Sequence, residues 1–139
     1  MGGHPIHPAL VHFPFGLLFS SVLVDLAHWA GLWPEARFAA WLMAGGLATA
    51  LLAMAAGLYD FRRLTDVQVP YALQHTLAMA TAWLGFAVAL YLRRGVLAGA
   101  AEPPTASVVL ALASAVVLAW GGWLGGELVY RHGAGRIDP

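Results

Sequence analysis

Phe38-Ala-Ala-Trp-Leu-Met-Ala-Gly-Gly-Leu-Ala-Thr-Ala-Leu-Leu-Ala-Met-Ala-Ala-Gly-Leu-Tyr59 carries no charged side chain. A helix that crosses the hydrocarbon core needs about 20 mostly apolar residues, and this stretch supplies them without a break. Three more apolar segments surround it. Residues 9–33 precede it, interrupted by Asp25 and His28. Residues 71–92 follow, with Gln74 and His75 in the opening turn, and residues 105–127 end at Glu127, with Tyr130 and His132 just beyond. None of the four alternates in polarity with the period of two that a β-barrel strand requires. Helices are then the way to satisfy the backbone in lipid. The links are short and turn-like: Gly31-Leu-Trp-Pro34, residues 60–70, and residues 93–104 with Gly95, Gly99 and Pro103-Pro104. Short links make successive helices antiparallel neighbours. The expected fold is all-α, one domain over residues 1–139, an integral membrane bundle of four antiparallel transmembrane helices.

Composition agrees. The chain is 60% hydrophobic and 10% charged, against about 25% charged in an ordinary soluble domain, and its mean hydropathy is +0.73. All of its basic residues are arginines, and formal neutrality leaves no basic patch for nucleic acid. Without cysteine there is no disulfide, thiolate ligand, iron–sulfur cluster or covalently attached c-type haem. The N-terminus lacks a basic n-region and its apolar run is too long for a signal peptide, so the first span is expected to stay in the mature protein.

The opening Gly3-His-Pro-Ile-His-Pro-Ala-Leu-Val-His-Phe-Pro-Phe-Gly16 sets three histidines at the edge of the first apolar run. His4 and His7 each precede a proline, which biases them away from the α region. Pro8 suits the first position of a helix, with His7 at its cap, and Pro14 is expected to kink that helix.

Antiparallel alternation puts both termini and the link between the second and third spans at one membrane face. That face collects His4, His7, His12, Asp60, His75, Glu127, Tyr130 and His132, and only His28 of the six histidines falls at the other. Titratable side chains at a membrane need partners, and five histidines from several segments point to one polar site. Simpler pairings are also available. Asp60 with Arg63, Glu127 with Arg131, and Asp25 with His28 are all spaced to pair along one helix; Asp25 and His28 are expected to satisfy each other as structural residues. The glycines of span four, Gly121, Gly122, Gly125 and Gly126, form overlapping small-xxx-small pairs. They suit close helix packing, including a homodimer through that span, or a flat cofactor lying between helices.

His4-Pro-x-His7-Pro, Gly57-Leu-Tyr-Asp60 and Gly125-Gly-Glu-Leu-Val-Tyr-Arg-His-Gly133 together resemble the bacterial four-helix membrane proteins known as domain of unknown function 2231. The resemblance covers nearly the whole chain. It implies a four-span bundle and a shared polar set of His4, His7, Asp60, His75 and Glu127. Some relatives carry His where this chain has Glu127, and relatives fused to Rieske-type or cytochrome c domains point towards electron transfer. The family name brings no established activity.

Three functions compete. A b-type haem for membrane electron transfer needs one or two imidazoles from facing segments and cations for its propionates. His7 and His75 are the preferred axial pair, with His4 or His12 as substitutes. Arg62, Arg63, Arg131 and Arg136 share that face as propionate partners. The redox partner would be a cytochrome c, a Rieske protein or a quinone. A non-haem metal site is the alternative, with His4, His7, His75 and Glu127 as ligands and Asp60 as ligand or supporting group. Such donors suit zinc, iron, copper or manganese, for catalysis or ion handling. The third function is a structural or accessory subunit. No Ser/His/Asp nucleophile arrangement or phosphate loop is legible. The expected location is the bacterial inner membrane. Four arginines on the terminal side against three opposite (Arg37, Arg93, Arg94) lean the termini towards the cytoplasm.

Overall fold

Apolar chain in lipid closes its hydrogen bonds within each segment, and every long apolar run is helical in the computed structural model, which describes residues 10–99 and 102–134. The helices are α1 His12–Trp29, α2 Ala36–Phe61, α3 Val69–Leu92, the short α4 Arg94–Leu97, and α5 Thr105–Tyr130. The four long helices lie on the four apolar segments, with shifted ends. α1 stops earlier than expected because the chain turns at Gly31, whose φ of 72° is readily open to a residue without Cβ. Pro14 causes no break. It lies in the first turn of α1, where its missing N–H has no carbonyl to meet; Pro8 lies outside the described residues. The turn α4 was not foreseen in the third link.

α1 packs chiefly on α2 and α3 chiefly on α5, while contacts between α2 and α3 and between α1 and α5 close the ring. Gly46 of α2 meets Leu18 of α1, and Trp83 of α3 donates its indole N–H to the Leu47 carbonyl at 3.2 Å. α3 and α5 run antiparallel, since Gly85, Ala78 and His75 meet Ser114, Gly121 and Gly125 in reverse order. A Cβ on Gly46 would stand 2.7 Å from Leu18, so the glycine sets how closely α1 and α2 approach. The core is assembled from Leu18, Val22, Met43, Leu47, Phe86 and Leu118 among small alanines.

Much of the outward surface is apolar. Leu23, Leu52, Leu77, Leu84 and Val116 are exposed on four different helices, as a bundle solvated by lipid tails requires. Among the described residues three helices, α2, α3 and α5, are long and apolar enough to cross a membrane. α1 has 18 residues and carries His12, Pro14, Asp25 and His28.

The pairing expected between Asp25 and His28 is replaced by two longer-range contacts. Arg93, at the end of α3, donates from Nη1 to both oxygens of Asp25 at 2.9 and 2.8 Å, and neither residue is more than 2% exposed. A guanidinium outcompetes the imidazole one turn away because it is a permanent charge with a forked donor set. His28 turns instead to the Trp33 carbonyl through Nδ1 (2.8 Å) and to Glu102 through Nε2 (3.1 Å). Both partners are acceptors, so making both bonds together requires the doubly protonated ring. Both residues are therefore tied to partners other than each other.

Candidate functional site

At the end of the bundle opposite Arg93, the start of α3 is tied to the end of α5. The Gln68 side chain donates to the His132 carbonyl at 2.7 Å, and the His132 ring stacks on Tyr71 with centroids 3.7 Å apart. Six residues into α3, His75 lies part-buried against α5 and donates from Nδ1 to the Gly121 carbonyl at 2.8 Å. A carbonyl only accepts, so Nδ1 carries the proton in this bond. The ring lies in space that only glycine leaves. A Cβ on Gly125 would stand 2.9 Å from its Cε1 and 3.1 Å from Nδ1.

Gly121 and Gly122 are filled in the same way. Met79 closes over Gly121, and the Phe15 ring of α1 over Gly122, where a Cβ would meet its Cζ at 2.7 Å. The stripe is therefore packing surface for side chains of the same chain, and at these positions it is not a slot for a flat cofactor. α1 and His75 are thereby brought onto one face of α5.

The remaining candidates disperse. His12 opens α1 and is exposed. Glu127 forms an ion pair with Arg131 one turn on, at 2.9 Å, the simple pairing that their spacing allowed. Asp60 does not pair with Arg63 through its side chain; the contact between them is backbone, from the Arg63 N–H to the Asp60 carbonyl at 3.0 Å. Arg62 and Arg63 instead lie over the Tyr59 ring, at 5.9 and 5.4 Å from its centroid. His4, His7 and Arg136 lie outside the described residues. Among the described residues no three His, Asp or Glu side chains gather as metal ligands, so His75, Glu127 and Asp60 do not form such a group. Two grooves of about 260 Å³ indent the surface, one lined by Leu10, Phe13, Thr49 and Leu52, the other by His28, Glu35, Arg37 and Glu102 among others; neither takes in His75.

Sequence reasoning missed Arg93 and Glu102 as partners at the opposite end. The signal for Arg93 was present: it follows directly on an apolar run and, by antiparallel alternation, shares a face with the end of α1. No curated protein and no solved structure matches the chain. A family of predicted membrane proteins, domain of unknown function 2231, matches residues 3–138, and the chain belongs to it.

Proposed function

We propose that this membrane protein crosses the bilayer four times and holds a b-type haem at the face where both chain ends lie. The observation that carries the haem is His75, on a rigid helix, with Nδ1 committed to the Gly121 carbonyl. Fixing one ring nitrogen on a backbone acceptor orients the other as a metal ligand, and a helix positions a ligand better than a loop does. The donor chemistry fits, since haem b takes one or two neutral imidazoles and no thiolate. His75 would be one axial ligand, and His7 or His4 of the opening segment the other; His12 is a weaker substitute. When bound, the haem supplies one-electron transfer, with a cytochrome c, a Rieske protein or a quinone as partner. Arg62 and Arg63, drawn over Tyr59, and Arg131, held by Glu127, are not assigned to the propionates.

α1 serves as the fourth span because its outer side is apolar, with Phe13, Leu23 and Leu26 exposed. Its one acid is neutralised by Arg93, which lowers the cost of carrying it into lipid. Burial also removes Arg93 from the charges at the bilayer surface, which widens the arginine excess on the terminal side and favours cytoplasmic termini in the inner membrane. Cysteines introduced at Gly3 and at Glu102 are expected to label from opposite sides of sealed vesicles. Labelling from one side would remove the four-span topology and with it the gathering of histidines at one face.

The haem is tested on the purified protein by absorption and metal analysis. A Soret band that shifts and sharpens on reduction, with about one iron per chain, is the expected result. A colourless protein with about one transition-metal ion per chain, lost in both His75→Ala and Glu127→Ala, would transfer the site to a non-haem metal. A colourless and metal-free protein would overturn both.

A further inference from the structure

Two guanidinium groups converge on one aromatic ring at the end of α2. Arg62 and Arg63 are exposed, and among the described residues neither side chain makes a hydrogen bond or an ion pair. Asp60 and Asp66 flank them in sequence without pairing with either. Tyr59, beneath both, is itself exposed, and its neighbour Leu58 is 71% exposed on a helix fit to cross the membrane. An exposed tyrosine at the end of a span sits at the depth of the lipid headgroups. The donors of both arginines are therefore presented at the level where phosphodiesters lie, and a guanidinium fork matches a phosphate's oxygens two at a time. The opposite face offers a weaker version. There a single arginine, Arg94, lies over Tyr91 at 4.4 Å, and its Nη1 is already spent on the Tyr91 carbonyl at 3.1 Å.

We propose that Tyr59, Arg62 and Arg63 form a site for the headgroup phosphate of an anionic phospholipid at the terminal face of the bundle. The site depends on the membrane reading of the chain and not on the haem, and its test reads lipid alone. The full-length protein in detergent is titrated with phosphatidylglycerol and with phosphatidylcholine, and bound lipid is counted by native mass spectrometry. Wild type is expected to prefer phosphatidylglycerol, and the double substitution Arg62→Gln, Arg63→Gln to weaken that lipid roughly tenfold. Arg94→Gln should leave it unchanged. An unchanged preference in the double variant would overturn the site, as would an equal loss in Arg94→Gln, which would mean unlocalised charge. Displacement of the lipid by millimolar inorganic phosphate would also overturn it, in favour of a soluble anion. If the double variant does not fold, Tyr59→Leu takes its place: loss of at least half the preference supports the site, and wild-type preference rejects it.

Discussion

Asp25→Asn is expected to lower the stability of the folded protein by about 3–5 kcal/mol, the largest effect of any single substitution at the opposite end of the bundle. Arg93 is fully buried, and its Nε and Nη2 already lack an acceptor among the described residues. Among the described residues both of its side-chain hydrogen bonds go to the Asp25 carboxylate. Removing that charge leaves a permanent cation among apolar side chains with nothing to balance it. The control is the double substitution Asp25→Leu, Arg93→Met, which removes both charges and is expected to recover most of the loss. Glu127→Gln, which breaks an exposed pair, should cost no more than about 1 kcal/mol. Denaturation midpoints of the four proteins in one detergent decide the matter; a harmless Asp25→Asn would mean that the pair is hydrated.

His75→Ala is expected to abolish haem binding in a protein that still folds. Span three has no other histidine, whereas the three histidines of the opening segment can partly replace one another, so His12→Ala should weaken binding only modestly. The sharper comparison lies on α5. In Gly125→Ala the new methyl group would press on the His75 ring at 2.9 Å and break the 2.8 Å bond to Gly121 that sets its direction. Loss of such a supporting contact is expected to lower affinity about 10- to 100-fold. Gly126→Ala, whose nearest neighbour is Tyr130 at an ordinary 3.9 Å, should bind as wild type does. Soret absorbance per chain, read beside the thermal midpoint, separates a lost ligand from a lost fold. A His75→Ala protein that keeps both colour and metal would sink the site in either form.

The helices were legible in the sequence because lipid imposes one rule along the whole chain: apolar runs of spanning length must be helical. What was not legible concerns partners distant in sequence. Asp25 was read against His28, three residues away, while its true partner lies 68 residues on. Local spacing says which pairs can meet, but the strength of the competing donor decides which do. Likewise the glycines of span four announced close approach, yet the sequence could not say what approaches. His75, Met79 and Phe15 do, so the space read as room for a cofactor belongs to the chain's own side chains. His75 lies on a helix as its place in the third apolar run implied, but its bond to a helix carbonyl is a tertiary fact.

That glycine stripe repeats every four residues, which leaves α5 with an ambiguity of register. A slide of one helical turn, about 5.4 Å, would bring Gly125 and Gly126 to where Gly121 and Gly122 now receive Met79 and Phe15. Both side chains would find the same clearance again. His75 would not, because Val129 would then occupy the place of Gly125, and neither would Gly85, which would meet Leu118 where the small Ser114 now lies against it. The imidazole thus acts as a pawl against a slip that the Met79 and Phe15 contacts alone would tolerate. The His75→Ala protein is where the displaced register should be looked for, by cross-linking cysteines placed at Ala78 and Gly125.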